Sequence, residues 1–95
     1  MPARLLLRER KQLEEGGFID LILWRLPSGS TGRPHGYKYR LAYVRDGRCV
    51  LRYDNETGKG DHRHIGSREE RYTFTTVDTL LKDFVRDVRA LGRRG

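Results

Sequence analysis

The clearest pattern of hydrophobic and polar positions lies near the carboxyl end of the chain. In "TTVDTLLKDFVRDVRALG" (75–92) the apolar residues recur every three or four positions, at Val77, Leu80, Leu81, Phe84, Val85, Val88 and Leu91. This spacing places the apolar side chains along one side and predicts an amphipathic helix that packs on another element. Thr75 or Thr76 is the expected N-cap, Asp78 lies in the first turn, and Gly92 is the expected stop.

Two β-forming segments in the middle of the chain predict a hairpin. "YKYRLAYVR" (37–45) and "RCVLRYD" (48–54) are separated only by Asp46-Gly47. Asp-Gly favours a two-residue turn because both turn positions need a positive φ.

A regular turn of this kind also predicts which residues share a face of the hairpin. One face then pairs Val44 with Cys49, Ala42 with Leu51, and Arg40 with Tyr53. We expect this face to contact the helix and to bury Cys49. The other face would meet solvent, a partner protein or RNA, and it would carry Tyr37, Tyr39, Tyr43, Arg52 and Asp54.

The amino-terminal third predicts a further pair of strands. Residues 3–13 ("ARLLLRERKQL") make a poor helical stripe and lack a cap, so we interpret them as a strand. The "EEGG" segment (14–17) predicts a hairpin loop, and "GFIDLILWRLP" (17–27) predicts a second strand that ends at Pro27.

The remaining segments complete the predicted fold. Residues 28–36 predict a flexible loop with a solvated His35, and "ERYTF" (70–74) predicts a short strand before the helix. We therefore expect a single α+β domain over 1–95, with an antiparallel sheet of four to five strands and one C-terminal helix packed on one face. The ends expected to fray are 1–2 and 93–95.

The net charge of +7 indicates which classes of partner the chain is expected to bind. A basic surplus favours nucleic acid, an acidic protein or an anionic membrane, although a basic surface also serves solubility alone. The single cysteine excludes an internal disulfide, no signal peptide is recognised, and the apolar run "LILW" is far too short to cross a bilayer. We expect a cytoplasmic protein with no membrane partner.

Candidate chemistry concentrates in "RYDNETGKGDHRHIG" (52–66), which we interpret as a working surface at the rim of the sheet that contributes nothing to the interior. Lys59 lies between two glycines, as in a phosphate cradle, but the spacing of a P-loop is missing. His62 and His64 are two residues apart, so in an extended chain they point to the same side with their backbones roughly 6.6 Å apart. Two imidazoles at this separation could flank a phosphodiester.

Histidine suits acid–base catalysis because its ordinary pKa is about 6.5. One imidazole would take the proton of a ribose 2′-hydroxyl while the other protonates the leaving 5′-oxygen, a reaction that needs no metal and no other cofactor. The predicted catalytic residues are His62, His64 and Asp61, with Asp61 orienting one imidazole. Asp54 is the alternative orienting residue. We expect the RNA phosphates to be bound by Lys59, Arg52, Arg63 and Tyr53. Asn55 is a further orienting residue.

Three other interpretations of this segment stay open. The histidines and Asp61 could simply hold a loop together by hydrogen bonds. Asp61, His62 and His64 could bind a metal ion with Cys49 or His35 as a fourth ligand, although the spacing is not a known zinc pattern. The segment could also bind phosphate or an acidic partner without catalysis.

Several blocks of the chain are together typical of one family. They are "ARLLLRER", "WRLP", "YKYRLAYVRDGRCVLRYDNETGKGDHRHIG", "YTF" and "LLKDFVRDV", and the most specific of them are "RYDN" and "GKGDHRH". On these blocks the chain closely resembles the TumE family of bacterial toxin–antitoxin proteins over most of its length. The matching positions of the specific blocks are Arg52, Tyr53, Asp54, Asn55, Lys59, Asp61, His62 and His64.

The resemblance implies a small toxin that is encoded beside, and neutralised by, an antitoxin with a helix-turn-helix domain. Many small toxins of this kind act on RNA, which agrees with the basic charge. The leading hypothesis is therefore an RNA-binding toxin that acts as a metal-independent ribonuclease. Its rivals are a non-catalytic module that binds protein or RNA through the tyrosine-bearing face, and a metal-dependent nuclease. The oligomeric state stays open, with a homodimer among the alternatives.

Overall fold

The computed structural model describes residues 3–27, 35–56 and 60–92 of the chain. These residues form β1 (Arg4–Gln12), β2 (Phe18–Arg25), β3 (Tyr37–Arg45), β4 (Arg48–Asp54), β5 (His62–Ile65), β6 (Arg68–Arg71) and α1 (Val77–Gly92). The strands lie in chain order across one antiparallel sheet, so each strand pairs with its neighbours in sequence. The predicted α+β fold with a C-terminal helix is confirmed.

Some predictions fall on residues that the structure does not describe. Lys59 is one of them, as are the predicted frayed ends and most of the predicted loop. The positions outside the described ranges are 1–2, 28–34, 57–59 and 93–95.

The sheet has six strands because two short strands replace the single one predicted at 70–74. Strands β5 and β6 are joined by a tight turn at Gly66, whose φ is 60°. Their sequences, "HRHI" and "REER", contain only one apolar residue, Ile65. Hydrophobic alternation therefore could not reveal these strands, and the polar segment was interpreted as a rim.

The predicted turns between the longer strands are confirmed by their backbone geometry. Asp46 and Gly47 have φ values of 51° and 74°, as a two-residue hairpin turn requires. In the loop between β1 and β2, the N–H of Leu13 donates to the carbonyl oxygen of Gly17 at 2.8 Å. Gly17 allows β2 to approach β3, because a Cβ atom there would lie 2.7 Å from the carbonyl oxygen of Val44.

The helix α1 begins as the sequence predicts and packs on the sheet through its apolar side. The N–H of Thr79 donates to the hydroxyl oxygen of Thr76 at 3.1 Å, so Thr76 is the N-cap. Leu80 and Phe84 are the buried residues of the helix. The Phe84 ring meets Tyr53 edge-on, with the ring centroids 5.7 Å apart, and this contact joins the helix to β4.

A β-bulge between β3 and β4 makes the predicted faces of β3 wrong, whereas Leu51 and Tyr53 of β4 face the helix as predicted. Val44 lies opposite Cys49 as predicted, but Tyr43 already lies opposite Leu51, so Val50 is an extra residue in β4. A bulge shifts the register by one residue, and such a shift exchanges the two faces. The side chains of this hairpin in the core are consequently Tyr39, Leu41, Tyr43, Leu51 and Tyr53, and none of them is exposed.

The exchange of faces overturns two further predictions. Tyr39 and Tyr43, expected on an exposed binding surface, lie in the hydrophobic core with Phe84. Cys49, expected to be buried, is exposed beside the turn. The tyrosine-bearing face is thus the one that packs on the helix, and Tyr39 and Tyr43 are fully buried there.

Candidate functional site

The sheet face opposite α1, here called the open face, carries polar side chains in two rows that cross all six strands. The first row is Arg8, Ile22, Arg40, Asp54, His62 and Arg71. The second row is Arg10, Asp20, Ala42, Arg52, His64 and Glu69. Neighbouring strands lie about 4.8 Å apart, so each row is roughly 24 Å long.

Four side chains meet where these rows reach β4, β5 and β6, and we call them the histidine cluster: Asp54, His62, His64 and Glu69. His62 Nε2 lies 2.9 Å from Asp54 Oδ1 and 3.6 Å from Glu69 Oε2. His64 Nε2 lies 3.1 Å from the same Glu69 oxygen. The two imidazole rings are 5.0 Å apart between centroids and inclined at 72°. The alternation of β5 thus brings both predicted histidines together on the open face.

The cluster has a buried part and an accessible part. The side chain of His62 is 7% exposed and that of Asp54 is 6% exposed, whereas His64 is 27% exposed. Arg52 Nε lies 2.7 Å from Asp54 Oδ2. The prediction that segment 52–66 contributes nothing to the interior is therefore wrong, while His64 and Arg52 remain accessible to a ligand.

Both ring nitrogens of His62 face oxygen atoms that accept hydrogen bonds. His62 Nδ1 lies 3.0 Å from the carbonyl oxygen of Gly60, which can only accept, so Nδ1 carries the hydrogen. Nε2 then faces the carboxylate of Asp54, which also only accepts. With the hydrogen on Nδ1, a neutral imidazole sets the lone pair of Nε2 against a lone pair of Asp54, an arrangement in which a cation at Nε2 would be favourable.

Tyr53 and Arg63, both predicted to bind phosphate, lie on the opposite face of the sheet, against α1. Arg63 forms ion pairs of 3.0 Å with Asp87 and 2.7 Å with Glu70, and Tyr53 donates its hydroxyl hydrogen to Asp87. Burial and the bond to Asp87 raise the pKa of Tyr53 to about 12, so its hydroxyl stays protonated at neutral pH. The hydrogen bond from Arg63 lowers the pKa of Glu70. These residues join the sheet to the helix.

Asp61 contacts a histidine, but not one of the cluster. Its carboxylate lies 2.9 Å from His35 Nε2 and accepts a hydrogen bond of 2.6 Å from the Tyr39 hydroxyl. The His35 ring also stacks on Phe74 with the centroids 4.0 Å apart. The prediction that His35 is solvated is thus wrong, and Asp54 takes the place beside His62 that was predicted first for Asp61.

Asn55, predicted to orient a catalytic group, is fully buried and positions the backbone instead. Its Oδ1 accepts from the N–H of Tyr39 at 3.0 Å, and its Nδ2 donates to the carbonyl oxygen of Tyr37 at 2.8 Å. These bonds hold the end of β4 against the start of β3, directly after Asp54. Asn55 therefore fixes the strand end from which the cluster is built.

Sequence reasoning missed one member of the histidine cluster, Glu69, and two arginines beside it. Arg40 lies opposite Asp54, and Arg71 lies opposite His62. Arg40 was assigned to the wrong face because the bulge carries no clear signal in the sequence. Glu69 and Arg71 lie in β6, whose charged sequence shows no strand pattern, so only the pairing of β5 with β6 places them here.

The cluster is also the group of residues that could hold a metal ion in the described part of the chain. Donor atoms of Asp54, His62 and His64 all lie within 4.8 Å of one another. Cys49 and His35, predicted as a fourth ligand, do not belong to this group. The carboxylate of Glu69 lies outside this group as well, although its Oε2 is 3.6 Å from His62 Nε2 and 3.1 Å from His64 Nε2.

Comparison with known proteins supplies one match. The family model described as "Toxin TumE" matches residues 2–92, nearly the whole chain. No match to this chain was found among curated proteins or among solved structures. In the described part of the chain, no helix has the length and apolar character needed to cross a membrane.

Proposed function

Since the chain belongs to the TumE family of toxins, we propose that it is a toxin whose target is RNA, bound on the open face and cleaved at the histidine cluster. Membership of this family implies a cognate antitoxin as a partner. The observation that carries the proposal is a pair of imidazoles 5.0 Å apart at the end of two rows rich in arginine.

The charge of the open face supports RNA as the ligand. The net charge of the chain is +7, and phosphate contacts from arginine supply much of the affinity of proteins for nucleic acids. An RNA strand that lies along the rows would cross the whole sheet before it reaches the cluster. The guanidinium groups placed along this route are Arg8, Arg10, Arg40, Arg52 and Arg71.

The two imidazoles supply an acid and a base for transesterification. His64, the more exposed ring, takes the proton of the ribose 2′-hydroxyl as its oxygen forms a bond to phosphorus. The bond from phosphorus to the 5′-oxygen breaks, and His62 gives that oxygen a proton from Nε2, which turns from Asp54 toward the bound substrate. The products are a 2′,3′-cyclic phosphate and a free 5′-hydroxyl, so atoms and protons balance.

Arginines beside the cluster stabilise the charge that develops on the phosphorane. Arg52 adjoins Asp54, and Arg40 and Arg71 lie opposite Asp54 and His62 in register. Positive groups fixed where charge appears lower the barrier more than mobile ones, because they need no reorganisation. Asp54 and the carbonyl oxygen of Gly60 orient His62 from its two ring nitrogens.

The experiment that tests this proposal removes both imidazoles of the cluster. We expect the double variant His62→Ala, His64→Ala to lose growth arrest on expression. Cleavage of RNA by the purified protein should fall at least about 100-fold, since general acid–base catalysis contributes this much or more. Growth curves and mapping of 2′,3′-cyclic phosphate ends measure the two effects.

The chain offers a matched control, because only one of its three histidines lies outside the cluster. His35→Ala should still arrest growth and cleave RNA, with folding of each variant checked by circular dichroism. If the double variant arrests growth as strongly as the parent, the catalytic assignment is wrong. A parent protein that binds RNA and leaves it intact would instead indicate a toxin that acts by binding.

For the partner, we propose an antitoxin with a helix-turn-helix DNA-binding domain, as the resemblance to TumE toxins implies. Inspection of the neighbouring gene and co-expression with its product test this proposal. Co-expression should restore growth and give a stable complex, whereas a neighbouring gene without such a domain would contradict it.

A further inference from the structure

We propose that the histidine cluster is also a binding site for a divalent transition-metal ion of the zinc class, which silences the toxin when bound. The ligands would be Asp54 Oδ1, His62 Nε2, His64 Nε2 and Glu69 Oε2. The silencing rests on the proposed RNA cleavage, whereas the binding site rests on geometry alone.

Three of the distances between these atoms are close to those around a tetrahedral ion. Zinc binds nitrogen and carboxylate oxygen at about 2.0–2.1 Å, which places neighbouring ligands about 3.3–3.4 Å apart. Three ligand pairs in the cluster, those of His62 with Asp54, His62 with Glu69 and His64 with Glu69, are separated by 2.9, 3.6 and 3.1 Å. The donor atoms of Asp54, His62 and His64 all lie within 4.8 Å of one another, so a small cation could bind these three after small side-chain movements. The carboxylate of Glu69 would then move toward the ion to complete the shell.

Hydrogen bonding does not account for this close approach. Asp54 Oδ1 and His64 Nε2 are buried and have no hydrogen-bond partner of adequate geometry among the described residues. His62 Nε2 lies 2.9 Å from Asp54 Oδ1 without the alignment of a hydrogen bond. Buried polar atoms left without hydrogen bonds are costly, so lone pairs that converge in this way indicate a cation between them.

The groups behind the ligands are those that metal sites use. A histidine that binds a metal through one ring nitrogen usually donates its other N–H to a carbonyl or carboxylate. His62 does so, through Nδ1 to the carbonyl oxygen of Gly60 at 3.0 Å. The second oxygen of Asp54 is held by Arg52 at 2.7 Å, which leaves Oδ1 for the ion.

The ligand set selects the class of ion and its effect. Two imidazoles and two carboxylates suit Zn²⁺ or Co²⁺, whereas Mg²⁺ and Ca²⁺ prefer six or more oxygen ligands. Four protein ligands complete a tetrahedral shell and leave no open position at which the ion could activate water. The ion would occupy Nε2 of both His62 and His64, so neither imidazole could move a proton.

Metal binding can be measured on the complete chain without RNA. The protein, freed of metal by a chelator, is titrated with Zn²⁺ in a calorimeter and with Co²⁺ while visible absorption is recorded. We expect one ion per chain and the absorption of tetrahedral Co²⁺, with at least tenfold weaker binding in His64→Ala and in Glu69→Gln. His35→Ala is the matched control and should bind as the parent does, and Mg²⁺ should not compete.

The site is overturned if the parent takes up no Zn²⁺ saturably, or if His64→Ala binds it as tightly as the parent. A separate cleavage assay tests the silencing, which should appear as at least tenfold slower RNA cleavage at saturating Zn²⁺. Unchanged cleavage with Zn²⁺ bound overturns the silencing. Metal-free protein that binds Zn²⁺ but never cleaves RNA overturns the proposed ribonuclease and leaves the metal site standing.

Discussion

The two faces of this sheet treat their charged groups in opposite ways. On the face against α1, each close contact joins a donor to an acceptor, as where Arg63 meets Asp87 at 3.0 Å. In the histidine cluster of the open face, His62 Nε2 and Asp54 Oδ1 lie 2.9 Å apart without the alignment of a hydrogen bond. Strand β5 contributes to both faces, because its side chains alternate. One face thus holds the fold together, while the other carries the histidine cluster to which we assign the proposed activity.

The largest expected effect on stability comes from a substitution on the face that packs on α1. Phe84→Ala should lower the free energy of unfolding by about 3–5 kcal/mol, because it leaves a cavity beneath the helix. Urea unfolding followed by circular dichroism measures the loss. Phe84 is 1% exposed, whereas the neighbouring Val85 is 39% exposed. The matched variant Val85→Ala should change stability by less than about 1 kcal/mol, and an equal loss in both variants would contradict the packing described.

Smaller effects on stability are expected when one ion pair is removed from each face. Asp87→Ala removes the partner of both Arg63 and the Tyr53 hydroxyl, and should cost about 1–3 kcal/mol of stability. On the open face, Arg10 and Asp20 pair at 3.2 Å with side chains 61% and 37% exposed.

For this exposed pair, Asp20→Ala should cost less than about 1 kcal/mol, because water competes with it. Unfolding of both variants in urea gives the two values under one condition. If Asp20→Ala proves the more damaging change, the division of roles between the two faces is wrong.

The smallest expected effect concerns the proposed binding of RNA to the open face. Arg40→Gln, made in the His62→Ala, His64→Ala background so that RNA stays intact, should weaken binding several-fold. It should also lower the slope of log affinity against log salt by about 1, the contribution of one phosphate contact. Fluorescence anisotropy with a labelled single-stranded RNA at several salt concentrations measures both quantities.

The control for this change is an arginine of the other face. Arg68 is 75% exposed and pairs with Ile65 in the register that faces α1. Arg68→Gln removes the same charge and should leave the salt slope unchanged. Equal effects of the two variants would show that RNA senses only net charge and would contradict a route along the rows.

The helix and the longer strands were predictable because their patterns are local. The apolar spacing around Leu80 and Phe84, the cap at Thr76 and the Asp46-Gly47 turn each act within a few residues. The short strands β5 and β6 were not predictable, since they gain their place by pairing with β4 rather than from apolar residues of their own. Tertiary pairing outweighs local propensity in such segments.

The candidate site was predictable only in part. The spacing of His62 and His64 placed both on one side of an extended segment, and the structure brings them together on the open face. The partners were assigned less well: Asp61 contacts His35, Arg63 faces the helix, and Glu69 was not considered. Which carboxylate meets an imidazole depends on strand register, which the spacing of residues along one segment does not contain.

The amino-acid sequence by itself determined the fold class, the basic charge and the pairing of two histidines within β5, because each follows from composition or from spacing along one segment. Only the tertiary structure decided which face each residue of β3 and β4 occupies. One extra residue, Val50, shifts the register between these strands. Tyr39 and Tyr43 therefore lie in the core and Arg40 lies on the open face. The physical reason is that strand side chains alternate with a period of two, so a single bulge exchanges the faces of one strand relative to its partner.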